Sequence, residues 1–147
     1  MSTSTKSFLK ALFLMAALAA CASTISRPTG DRYALRITDN VADGRFDVAL
    51  TSNDSRPLCV SIESWPNSSG YFTVEKEDTY VKSGADVLSA NSKLMSAYCP
   101  GGCGEHRIEP QGELHGFIAY EAFGDAGRLA KDVNKELEFP VSPYYCR

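Results

Sequence analysis

The chain of 147 residues has little to spare of the groups that most nucleic-acid binders and many enzymes need. Fifteen Lys and Arg stand against 18 Asp and Glu, a net charge of −3. With no cationic excess to neutralise phosphates, a generic basic nucleic-acid binder is excluded. There are two histidines, His106 and His115, and neither sits in a His-Glu-x-x-His pattern. No Gly-x-Ser-x-Gly elbow is present, and the Gly-rich stretch from Cys99 to Gly104 lacks the Gly-Lys-Ser/Thr of a phosphate loop. Acids such as Glu63, Glu75, Glu77 and Asp78 are scattered and read as solvated. Of the three methionines, Met1 and Met15 fall in the first fifteen residues, so no Met-rich metal tract exists. The apolar run Ala11 to Ala20 has ten residues. As a helix it covers about 15 Å of a hydrocarbon layer of about 30 Å, too short for a comfortable permanent span.

What is present at the N-terminus is an address. Lys6 and Lys10 precede and border the apolar run, which ends in small residues. A basic start, a short apolar centre and a small-residue end describe a secretory signal. The stretch Leu18-Ala19-Ala20-Cys21 then resembles the lipobox of bacterial lipoproteins. The resemblance covers residues 1–21 and matches each position of the short motif. It implies cleavage before Cys21, a thioether-linked diacylglycerol on its sulfur and acylation, as by palmitate, of its new amino group. Ala22 in place of Asp implies, in a Gram-negative cell, the outer membrane facing the periplasm. One acyl chain anchors marginally, at about 0.8 kcal/mol per buried methylene, and two or more hold firmly. Loss of residues 1–20 removes Lys6 and Lys10 and no acid, shifting the net charge from −3 to −5. An acidic body is not drawn to an anionic leaflet, so the lipid and not a basic patch is the expected hold. Three regions follow: a signal peptide over 1–20, a lipidated Cys21 and tether over 21–31, and one domain over 32–147. Ala22 to Asp31 is small, polar and broken by Pro28 and Gly30, as a flexible tether would be.

Cys59, Cys99, Cys103 and Cys146 remain. An even number in an exported chain of this size reads as two disulfides. Three pairings exist; the expectation is Cys99–Cys103 across Pro-Gly-Gly, with Cys59–Cys146 clipping an early strand to the last one. A loop as long as the second stabilises by about 4–5 kcal/mol in the chain-entropy account. The competing reading is a metal site at Cys99, Cys103, His106 and His115. Its Cys-x3-Cys spacing is not the Cys-x2-Cys of common zinc sites, and exported thiols tend to oxidise. No metal and no cofactor are therefore expected.

Alternation dominates the body. Tyr33, Leu35 and Ile37 alternate with Ala34 and Arg36, and Phe46, Val48 and Leu50 with Asp47 and Ala49. Leu58, Val60 and Ile62 resume the pattern after the polar turn Asn53 to Pro57. Period two with one apolar face is the half-buried strand signal. Two short strands are predicted at Tyr71 to Glu75 and Thr79 to Lys82, and a long connection over 83–98. Glu109 to Gly112 reads as a tight turn leading into a strand through Leu114, Ile118 and Tyr120, apolar on both faces and so interior to a sheet. Leu129, Val133 and Leu137 predict a helix within Asp125 to Leu137, and Phe139, Val141 and Tyr144 a final strand broken by Pro140 and Pro143. Trp65, in a loop, is expected to plug one end of the core. Seven or so short strands with frequent turns describe an all-β domain. Their order resembles immunoglobulin-like β-sandwich domains of exported bacterial proteins, with one short helix near the C-terminus; a small β-barrel is the alternative. The usual Cys…Trp…Cys spacing is missing.

No nucleophile, base and orienting partner can be assembled from these motifs. The expected role is a non-enzymatic binding or structural module of the envelope, anchored by lipid and serving an unknown envelope protein partner. An acidic body also suits an inhibitor or immunity protein against a basic wall-degrading enzyme or toxin. A metal-binding envelope protein is the third reading.

Overall fold

The computed structural model describes residues 25–92 and 102–146. The chain is an all-β protein whose strands are β1 (Tyr33–Asn40), β2 (Arg45–Ser52), β3 (Leu58–Ser61), β4 (Lys76–Ser83), β5 (Asp86–Ala90), β6 (Glu105–Ile108), β7 (Glu113–Ala119), β8 (Glu136–Glu138) and β9 (Tyr144–Tyr145). They form three antiparallel sheets of three strands, ordered β1-β2-β7, β6-β3-β9 and β5-β4-β8.

One core serves all three sheets. Phe46, Val48 and Leu50 of β2 meet Ile118 of β7, Leu58 and Val60 of β3, Ile108 of β6, Val81 of β4 and Leu137 of β8. Each fully buried side chain of this kind contributes about 1.5–3 kcal/mol. Trp65 is 2% exposed, packs on Phe139 at 5.7 Å between ring centroids and fills one end, as its isolation in a loop suggests. Cys59 and Cys146 are disulfide-bonded across 87 positions, joining β3 to the chain just after β9. Cys103 is also disulfide-bonded, to a partner outside the described residues. Cys99 and Cys21 lie outside the described residues, as does the signal segment.

Several local expectations are corrected. Tyr71 to Glu75 is not a strand. The Asn67 side-chain oxygen takes the N–H groups of Ser69 and Tyr71, curling the loop, and only Phe72 makes an isolated bridge, to Ser92. Thr79 to Lys82 is the core of a longer strand that begins at Lys76, because a register shift between Lys76 and Tyr80 absorbs the charged residues. Where a long connection was expected, Gly84 at φ +62° turns the chain tightly and β5 follows; residues 93–98 lie outside the described set. The helix, α1 (Ala126–Lys131), is shorter than predicted. Asp132 leaves helical geometry and accepts the N–H of Asn134, an Asx-type stop. Val133 is then 89% exposed, and Leu137 pairs with Val81 in β8 rather than completing a helical stripe. Of the predicted final strand only Tyr144 is paired, in β9; Phe139 and Val141 lie in the unpaired stretch with Pro140 and Pro143 that follows β8.

β7 is an edge strand, not an interior one. Its two apolar faces have another cause. Ile118 faces the core, while the outward Phe117 lies against the loop at Gly70, whose carbonyl takes the Ala119 N–H at 3.0 Å and closes part of that edge. The stretch expected to be a free tether is partly docked. Ser26 accepts the Tyr145 N–H at 3.0 Å.

Candidate binding surface

The outward face of the β1-β2-β7 sheet is built from register. Antiparallel pairing sets Arg36 opposite Ala49 and Ala49 opposite His115; the next row is Thr38, Asp47 and Phe117. Side chains directly opposite point to the same face. Ala49 is the short member of its row, so the longer Arg36 and His115 stand as walls over it. A cleft of about 430 Å³ results, lined also by Arg45, Asp47, Gly116 and Phe117. A second cleft of about 260 Å³ continues past His115 to His106, Trp65 and Asn67.

Two glycines make room for this relief. A Cβ on Gly116 would come within 2.8 Å of the Trp65 indole nitrogen, so only glycine lets β7 lie on that ring. Gly70 has φ +78°, and a Cβ there would sit 2.4 Å from the Phe117 ring. Phe117 is thus fixed between Gly70 and the Arg45 guanidinium, which lies 4.8 Å from the ring centroid. Arg45 in turn pairs with Asp47 at 2.8 Å and Asp43 at 3.0 Å.

Glu113 organises the other half of the face. It accepts the Thr51 hydroxyl at 3.0 Å, lies 2.9 Å from His115 Nε2 and takes the Arg36 guanidinium at 3.5 Å. The Thr51 hydrogen bond first, then the cationic neighbours, hold its carboxyl below the usual range. Arg36 and His115 keep 67% and 68% of their side chains exposed, so both groups are accessible to a partner.

Among the described residues the backbone edge beside this face is unpaired. β1 runs eight residues in continuous register with β2, and among the described residues no strand pairs with its other side. Residues 36 to 39 are all exposed, and Ile37, although in phase with the apolar face, is 36% exposed because nothing covers it there. The strand carries no proline, no lysine and no register shift; of the devices that commonly guard such edges it has the charged Arg36 and the inward-facing Asp39.

Of the four side chains of the metal reading, Cys99 lies outside the described residues and the other three are not gathered. His106 and His115 line the second cleft. Cys103 lines a different one, of about 380 Å³, with Ile25, Ser61, Gly104, Glu105 and Tyr144, and its sulfur is in a disulfide. Glu105 does approach Cys59 and Cys146, but both of those sulfurs are bonded to each other. Sequence reasoning missed Arg36, Arg45, Ala49 and Phe117. The available signal was a small residue in mid-strand flanked by polar outward positions, whose meaning depends on which strands pair. No protein-family model matches the chain, and no curated protein does.

Proposed function

We propose that the chain is a bacterial envelope lipoprotein held to the membrane by lipid on Cys21, and that its body is a non-enzymatic binding module. In this reading the body takes an extended segment of an envelope protein along β1, with Arg36 beside it for an acidic side chain and Ile37 and Leu35 for apolar ones. The observation that carries the binding role is the open eight-residue edge of β1 next to the Arg36–Ala49–His115 cleft. Strand addition to an exposed edge draws affinity from main-chain hydrogen bonds and specificity from alternate side chains. The anchoring part rests on Leu18-Ala19-Ala20-Cys21. For the architecture we propose an immunoglobulin-like sandwich, with β1-β2-β7 facing the other two sheets; the single core shared by the three sheets supports it.

Two measurements test the proposal. Mass spectrometry of the native protein is expected to find the chain starting at Cys21 with added lipid, and Cys21→Ala to release it from membranes; an intact Met1 overturns the anchor. A photo-reactive residue at Thr38 is expected to give a discrete cross-linked species in native membranes, lost in Ile37→Lys, while one at Ser55 gives none. Equal cross-linking from both positions overturns the edge as the binding surface.

A further inference from the structure

The few residues between Cys21 and Ile25 limit which end of the body can meet the bilayer. Ile25, 51% exposed, lines the cleft formed with Ser61, Gly104, Glu105 and Tyr144, and the next residue, Ser26, is already hydrogen-bonded to Tyr145. Ala22, Ser23 and Thr24 are all that separate Ile25 from Cys21. Four Cα steps of at most ~3.6 Å give a reach of about 14 Å. A body of this size has a radius of gyration of about 13 Å and is roughly 35 Å across. The leash is therefore much shorter than the object it holds, and the far end of the body cannot turn to the membrane.

We infer that the Ser61–Glu105 end of the β6-β3-β9 sheet is held against the phospholipid headgroups; this rests on the lipidated Cys21 proposed above. The surface suits neutral, zwitterionic headgroups rather than anionic ones. Its lining is Ile25, Ser61, Gly102, Gly104 and Tyr144 with a single charged group, Glu105, whose carboxylate takes the Tyr144 hydroxyl at 2.8 Å. Among the described residues no lysine or arginine lines it to draw an anionic lipid. β6 leads away from this end to the Glu109–Gly112 turn, and β3 leads back to the Asn53–Pro57 turn. At about 3.3 Å per residue, β6 places Ile108, and the turn that carries Gln111, roughly 10 Å further along than Glu105.

The test uses the native lipidated protein, isotope-labelled, in phosphatidylcholine nanodiscs containing a lipid spin-labelled on its headgroup. Amide signals of Ser61, Gly104 and Glu105 are expected to be lost to paramagnetic broadening, while those of Ser55 and Gln111 persist. A long Gly/Ser insertion between Ser23 and Thr24 is expected to restore the near-end signals. Equal broadening at both ends, or none at either, in protein whose mass shows the lipid overturns the orientation and leaves the lipoprotein reading standing. A mass without lipid removes both.

Discussion

Two carboxylates on the same sheet hold cations in contrasting ways. Asp39, in phase with the apolar face of β1, accepts the Tyr120 hydroxyl and pairs with Lys135 Nζ at 2.7 Å. The Lys135 side chain is 1% exposed; its ammonium also donates to the Asp132 carbonyl and lies 5.0 Å from the Tyr120 ring centroid. Glu113, on the outward face, gathers Thr51, His115 and Arg36 in water. A desolvated cation cannot lose its partner without a large cost, whereas a solvated one can exchange partners freely. The first cluster therefore locks β1 to the chain after α1. The second stays free for exchange with an incoming carboxylate, which is what a recognition surface requires.

The contrast can be broken at either side. Lys135→Ala is expected to destabilise by about 3 kcal/mol, the low end for removing one partner of a buried pair, because Asp39 keeps 35% of its side chain exposed. A shift in urea midpoint as small as that of a surface substitution would erase the distinction. Gly70→Ala is expected to cost about 2 kcal/mol through left-handed strain and the push on Phe117, read in the same titration. Arg36→Ala is expected to stay within about 0.5 kcal/mol, yet to abolish cross-linking from Thr38. A stability loss like that of Lys135→Ala would make the outer cluster structural as well.

Titration separates the clusters by sign. Burial first, then the hydrogen bond to Asp39, pushes the Tyr120 phenol above its ordinary value of 10.0. The folded state holds that proton more tightly, so its contribution is intact below pH 10 and declines as pH rises above it. Thermal melts are expected to show this alkaline loss, reduced in Tyr120→Phe. Glu113 lies below its ordinary 4.5, so its contribution is present above that pH and declines as pH falls below it. Glu113→Gln is expected to flatten only the acid limb, and by less.

Alternation made β1, β2, β3 and the core positions Phe46, Val48, Leu50, Leu58 and Val60 legible, because one buried face imposes period two. The helix after Asp125 was overdrawn, since Leu137 has the spacing of a helical stripe but is used by a strand. Lys135 gave no local sign of burial. A sign did exist at its partner: Asp39 continues the phase of Tyr33, Leu35 and Ile37, and an acid on a core face requires a cation or donor. The surface proposed for recognition was the least legible part. Whether β1 is an edge, and whether Ala49 is a floor, depends on which strands become neighbours, and that information is distributed over the whole chain.

The bond between Cys59 and Cys146 also has a mechanical meaning. Ser26 hangs on Tyr145, and β9 by itself is a ladder of two residues that a tug could unzip. The adjacent sulfur bridge passes any load reaching that strand into β3, whose Leu58 and Val60 lie in the core. A pull that reaches β9 through Ser26 is thus shared with β3 through a covalent link rather than left to a ladder of two residues.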